Sequence, residues 1–267
     1  MKYDIIALDV DGTLLDDHHR LTPGTREAVR EAAQRGAEIV LCTGRGPSNS
    51  IPVLEELGLG GTIITHNGAA TVDVTKREAI HQFSFGTAEI APFMEYCRTR
   101  QIHFDVNTAF ELYVDSMTET VQQMYHQFRI TPIVWSDGAG LPEKLVKMTI
   151  FGEKQEMDEI QKDWESFSKD RFPNLSWIRS GDVFIDVQHA EANKGQALAE
   201  LAKQRGIAPE RVMAIGNYYN DIGMLTFAGL GIAMANSPEA VKLAAGTITS
   251  SNEEEGVRAA LLKYCLA

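Results

Sequence analysis

The sequence predicts an α/β protein whose core is a Rossmann-like parallel sheet, with a second, α+β domain inserted into it. Over the first eighty residues, short and wholly apolar runs alternate with amphipathic helical stretches, which is how parallel strands buried on both faces read. Between about residues 84 and 189 the strands become aromatic-rich or alternating, as in a sheet with one face open or lightly covered. From "ANKGQALAELAKQRG" to the end the first rhythm returns. The predicted domains are therefore a core of 1–83 and 190–267 and an insertion of 84–189. A chain of 267 residues with 44% hydrophobic content can fill cores of this size.

Taken in order, "DIIAL" is the first strand. Thr22 offers an N-cap and Pro23 a first helical residue, so a helix follows, with Gly36 as its stop. "AEIVLC" is the second strand, a helix near 48–57 is closed by Gly58, and "TIIT" is the third, ending at "HNGA". In the insertion, "HQFSF", "IHFDV", "ELYVD", "KLVKMTIF", "LSWIRS" and "DVFIDV" read as strands, with helices near 87–100, 118–128 and 153–170 and a tight turn at "RSGD". The last part gives a helix closed by Gly206, the strand "RVMAIG", a helix opening at "NDIGML", the strand "GLGIAMA", the helix "SPEAVKLAA", and a final helix after "SNEEEG". Glu253, Glu254 and Glu255 are expected in its first turn, where the helix dipole favours negative charge.

Composition limits the function. A net charge of −12 lacks the basic footprint that nucleic acids and anionic membranes require, although a small anion could still bind in a local cationic pocket. Three cysteines without C-x-x-C spacing suggest neither a disulfide framework nor a zinc site, and fit a reducing cytoplasm. No window reads as a membrane span or signal segment. Oligomeric state is not legible.

The chemistry is concentrated where core strands end, which is where open parallel sheets collect ligands. Four segments qualify: "DVDGT" at 9–13, "CTGR" at 42–45, "NKG" at 193–195 and "GNYYND" at 216–221. Asp9 and Asp11 are two carboxylates close enough to repel, so one would be forced toward its protonated form unless a cation lay beside them.

These four segments, in this order around a large insertion, resemble the haloacid dehalogenase (HAD) superfamily, and specifically its Cof-like phosphatase branch. The resemblance implies a HAD-like core with an inserted cap, and a Mg²⁺-dependent phosphatase acting on small phosphorylated metabolites such as sugar phosphates or phosphorylated cofactors. Asp9 would be the nucleophile that forms an aspartyl-phosphate, and Asp11 the acid-base that serves first the leaving alcohol and then water. The Val10 backbone amide, Thr43, Gly44 and Lys194 would hold phosphoryl oxygens, and Gly12 would permit the sharp exit from the strand. Mg²⁺ would bridge the Asp9 carboxylate, the Asp11 carbonyl and the first acid of the closing motif. The cap would close over the core and choose the substrate.

At that first acid the chain departs from the pattern: it has Asn217, which can ligate Mg²⁺ through an amide oxygen but brings no charge. Asn220 would contact phosphate, and Asp221 would complete the metal set as an outer carboxylate orienting Asn217, Lys194 or a bound water. An alternative function follows from Asn217, that of a catalytically impaired sensor binding a phosphometabolite; phosphoryl transfer to a second sugar shares the same chemistry. Arg45 could bind a substrate anion or pair with the cap. Asn67 with Gly68 is first a turn signal, with a substrate-loop role implied only by the resemblance. The histidines lack ligand spacing, and Trp135, Trp164 and Trp177 are expected in packing.

Overall fold

The computed structural model describes residues 2–127, 130–135, 140–165 and 172–267. In chain order the elements are β1 (Ile5–Asp9), α1 (Pro23–Gln34), β2 (Glu38–Cys42), α2 (Pro47–Glu56), β3 (Thr62–Thr65), β4 (Ala70–Asp73) and β5 (Glu78–Gln82). Then come α3 (Thr87–Arg100), β6 (His103–Asn107), β7 (Leu112–Val114), α4 (Glu119–Gln127), β8 (Ile133–Val134), β9 (Lys147–Phe151), α5 (Lys154–Glu165), β10 (Leu175–Gly181) and β11 (Phe184–His189). The chain closes with α6 (Lys194–Arg205), β12 (Val212–Gly216), α7 (Ile222–Phe227), β13 (Leu230–Ala233), α8 (Glu239–Ala245) and α9 (Gly256–Leu261). Contacts divide it into a first unit, Met1–Gln82 with Asn193–Ala267, and a second, Phe83–Ala192. Among the described residues no helix is long and apolar enough to cross a membrane.

The first unit holds one sheet in the order β13-β12-β1-β2-β3-β4-β5. β1 is buried along its whole length between β12 and β2, both parallel to it, which explains its unbroken apolar run. The chain builds outward from β1 in one direction through β2 and β3, then in the other through β12 and β13. The carboxyl end of β1 therefore lies at the switch point, where the loops after neighbouring strands diverge and leave a crevice. Two helix signals hold, since the Thr22 side chain accepts from Thr25 N and Gly206 ends α6 in the left-handed region; the structure adds Asn193, which accepts from Gln196 N at the start of α6.

This sheet is not parallel throughout. β4 pairs antiparallel with β3, and β5 antiparallel with β4. "HQFSF", expected as a strand of the insertion, instead contributes only His81 and Gln82, at the end of β5 on the edge of the first unit's sheet. The edge strand is only partly buried and carries no clear alternation, so its pattern gave little to read.

The second unit carries a six-stranded sheet in the order β10-β11-β9-β6-β7-β8. Phe104, Val106, Met148, Ile150, Ile185 and Val187 point to one face, where Phe93, Met94 and Cys97 of α3 and Met157, Ile160 and Trp164 of α5 pack on them. The opposite face carries Asp105, Asn107, Lys147, Thr149, Asp186 and Gln188, matched across β6, β9 and β11 in register. Trp135 and Trp164 belong to the apolar core and Trp177 packs against it. One reading shifts. The hairpin turn falls at Asp182 and Val183, since Gly181 still pairs with Phe184. The two-residue β8 was too short to read. The helix expected to run to 170 is described to Glu165, with 166–170 outside the described residues, as is residue 128 of the helix before it.

The glutamate run also moves. Glu253 and Glu254 lie in a short 3₁₀ turn (Asn252–Glu254) and Glu255 sits ahead of α9 with φ 55°, so none is in the first turn of that helix. Glu253 instead accepts from Asp17 N at 2.7 Å, and Glu255 from the Thr22 hydroxyl at 2.6 Å.

Candidate active site

Every candidate side chain named from the sequence lies in the first unit. Asp9 ends β1 and is 5% exposed. Lys194 is the first residue of α6, and Asp221 follows β12; they are 1% and 0% exposed. The Lys194 ammonium donates to Asp9 Oδ1 at 2.7 Å and to Asp221 Oδ1 at 2.6 Å. A cation at a helix N-terminus opposes the dipole, so this lysine is held by its two carboxylates. Burial alone would lower its pKa; Asp9 and Asp221 outweigh burial and keep it charged. With two carboxylates around one ammonium, negative charge is in excess. Burial, reinforced by Asp221, pushes Asp9 up to about 7 against the pull of Lys194.

Both Asp221 oxygens are committed: Oδ1 to Lys194, and Oδ2 to the backbone N–H groups of Asn217 and Tyr218, each at 2.9 Å. Asp221 thus orients Lys194 and the Asn217 backbone. Gly216 is required next to it, since a Cβ there would press into the Asp221 carboxylate.

Asn217 approaches Asp9 and the loop after β1. Its side-chain amide is best satisfied with nitrogen inward, donating to Asp9 Oδ2 at 3.1 Å, the Asp11 carbonyl at 3.1 Å and Thr13 Oγ1 at 3.2 Å; an oxygen there would be opposed by the first two, which only accept. Gly12, at φ 73°, makes room, for a side chain would collide with the Asn217 amide. Asn236 donates to the Gly12 carbonyl at 2.9 Å and pins the loop. Neither Thr13 nor Asn236 was singled out from the sequence, although Thr13 stands inside "DVDGT".

Asp11 is paired in a way that neither reading of Arg45 anticipated. Arg45 Nε donates to Asp11 Oδ2 at 2.8 Å while its terminal nitrogen engages Oδ1, a two-point fork within one unit. His19, its backbone left-handed at φ 58°, brings Nδ1 to 3.3 Å from the same Oδ1. Arg45 also donates to the Asn49 carbonyl at 3.2 Å. His19 is one of the histidines without ligand spacing in the sequence, and only the fold sets it beside Asp11.

Thr43 is buried after β2, its hydroxyl accepting from Arg45 N at 3.1 Å. Asn220 donates to Asn67 Oδ1 at 2.9 Å, and that same oxygen lies against Gly44. Thus Gly44, Asn67 and Asn220 stand together, as do Asp9, Lys194, Asn217 and Asp221, with Asp11 and Arg45 as a third group. Val10 is fully buried, and its carbonyl accepts from Leu14 and Leu15. Cys42 lies beside the buried charges, but burial pushes its thiol far up, so it is no nucleophile.

The haloacid dehalogenase-like hydrolase family matches residues 6–261, nearly the whole chain. The chain belongs to that family. Bacillus subtilis YxeH is 34% identical to this haloacid dehalogenase-like hydrolase over 272 residues, covering 99% of each chain. The 5-amino-6-(5-phospho-D-ribitylamino)uracil phosphatase YcsE of Bacillus subtilis is 30% identical over 267 residues, covering 98% of this chain and 96% of YcsE. Among solved structures, the HAD subclass IIB sugar phosphatase BT4131 superposes with a TM-score of 0.79 at 25% identity, over 99% of this chain and 100% of its own.

The family implies Mg²⁺. Among the described residues no cluster of three His, Cys, Asp or Glu side chains could hold a metal. The oxygens that can converge are Asp9 Oδ2, the Asp11 carbonyl and, with its amide turned, Asn217 Oδ1. These are hard oxygen donors of the type Mg²⁺ takes, so the residues fit, with a single formal negative charge among them.

Proposed function

We propose that this haloacid dehalogenase-like hydrolase is a phosphatase of small phosphorylated metabolites, working through an aspartyl-phosphate on Asp9 in a reducing, cytoplasmic setting. The observation that carries this reading is the buried trio of Asp9, Lys194 and Asp221 at the sheet's switch point. A carboxylate so placed can attack phosphorus while Lys194 offsets charge on the phosphoryl oxygens. The Val10 and Gly44 amides, the Thr43 hydroxyl and Asn220 are the further phosphate contacts, with Asn67 holding Asn220.

Asp11 protonates the leaving alcohol and then takes the proton of the attacking water. Both its oxygens are engaged by Arg45, so the pair must open for that transfer. Arg45 released in this way becomes available to the substrate. Asp9, the Asp11 carbonyl and Asn217 would hold Mg²⁺, which when bound supplies charge neutralisation at the phosphoryl group. The names of YcsE and BT4131 support a sugar- or ribityl-bearing phosphate ester as the substrate class.

Phosphate release from a panel of such esters tests the proposal. Asp9→Asn is expected to lose turnover and aspartyl-phosphate together; more than a few per cent residual activity would reject Asp9 as nucleophile. The second reading, a phosphometabolite sensor, is favoured only by Asn217. It requires binding by the parent without release of phosphate, and activity appearing in Asn217→Asp.

A further inference from the structure

We infer that the Asn217 carboxamide is a built-in substitute for the cation: its NH₂ group ties Asp9 to the Asp11 carbonyl when no metal is bound, and must turn over before Mg²⁺ can enter. This rests on the proposed site and goes beyond it by describing how the site is regulated.

Three distances carry the inference. One amide nitrogen reaches Asp9 Oδ2, the Asp11 carbonyl and Thr13 Oγ1 at 3.1, 3.1 and 3.2 Å, so two of the oxygens a cation would bridge are already bridged. Turned over, the amide oxygen accepts from the Thr13 hydroxyl at 3.2 Å. Both orientations are therefore satisfied by Thr13, which can accept in one and donate in the other. A carboxylate at 217 has no such choice. It would add a third acidic side chain beside Asp9 and Asp221, and without a metal ion the one Lys194 ammonium, already shared by those two, would be left to offset three carboxylates. The Asn217 backbone is held in place by Asp221 Oδ2 at 2.9 Å, so only the side-chain torsion needs to change. Gly12 leaves the amide its room.

The consequence is a core that stays organised without metal and binds it weakly, because Mg²⁺ competes with an internal donor and meets one negative charge fewer. Thermal unfolding of the intact parent and of Asn217→Asp, each in EDTA and across a MgCl₂ titration, tests this without substrate. The parent melting temperature is expected to be nearly indifferent to Mg²⁺. Asn217→Asp is expected to melt lower in EDTA and to recover with Mg²⁺ over concentrations at which the parent hardly responds. A parent that gains as much from Mg²⁺ as Asn217→Asp, at the same concentrations, would overturn the inference.

Should Asn217→Asp fold poorly, the parent alone suffices. Its Asn217 side-chain ¹⁵N–¹H₂ signals should be protected from solvent exchange in EDTA and move when MgCl₂ is added. Free exchange in EDTA would equally overturn the proposal. None of these readouts depends on phosphate release, so the failure of the phosphatase reading would be seen separately.

Discussion

Lys194 concentrates the physics of the site in one side chain. It is the only cation hydrogen-bonded to both Asp9 and Asp221 among the described residues, and all three are at most 5% exposed. Removing one member of a buried ionic network strands the others, a loss of about 3–5 kcal/mol. Lys194→Met should therefore cost that much in urea unfolding at pH 7, and less at pH 5, where protons relieve the stranded carboxylates. A loss under about 1 kcal/mol at pH 7 would mean that another group neutralises them. At this scale the sequence was partly legible. Asp9, Lys194 and Asp221 stood out as charged residues at strand ends, and the fold brings them together. The Asp11–Arg45 fork was not legible, because a guanidinium can reach many anions and only the adjacency of β1 and β2 selects Asp11. Asn236 was hidden for a similar reason: its partner is a backbone carbonyl, which leaves no trace in the sequence.

Elements set the distances between these residues. The turn after β3 runs close to the start of α6, so that a Cβ on Gly68 would collide with the Asn193 carbonyl, and Gly68 itself is at φ 98°. Gly68→Ala is thus strained twice and must push away the residue that caps the helix carrying Lys194. A loss of roughly 2 kcal/mol or more is expected in thermal or urea unfolding. An unchanged melting temperature would show that the two segments can separate at no cost. Elements with a strong period were readable within a residue or two, as for α1, β3 and α6. Those missed were β4, β5 and β8, which are short or lie at a sheet edge, where half-exposure blurs the alternation.

For the whole molecule, pH should act unevenly on the two units. Asp105, on the polar face of the second unit's sheet, is 6% exposed and burial pushes its carboxyl up to about 6, against the pull of Lys147, Tyr125 and Asn107. An acid whose pKa is raised on folding binds protons more tightly in the folded state. Its contribution is thus favourable below about pH 4, where folded and unfolded chains are both protonated, and is lost as pH rises through 6, by roughly 3 kcal/mol. All three tryptophans, Trp135, Trp164 and Trp177, lie in the second unit, so their emission reports its unfolding separately. The urea midpoint followed by tryptophan should fall between pH 4 and 7 in the parent and change less in Asp105→Asn. Equal slopes for the two proteins would remove Asp105 as the cause. The two-part organisation itself was the easiest feature to read, because a change in strand character persists over about a hundred residues and needs no exact boundary.

The place of β1 at the centre of its sheet bears on how the chain is made. One edge of β1 pairs with β2 as soon as residue 42 is available, but the other waits for Val212–Gly216, about 170 residues later. At about 5–20 residues per second a ribosome takes on the order of 9–35 s to deliver them. For that interval a five-residue, wholly apolar strand carries an unpaired backbone edge, and Asp9 has no ammonium partner because Lys194 is also still to come. The nascent chain is therefore most open to wrong pairing while its insertion is being synthesised, and a chaperone that shields the first eighty residues during that window would raise the yield of native protein.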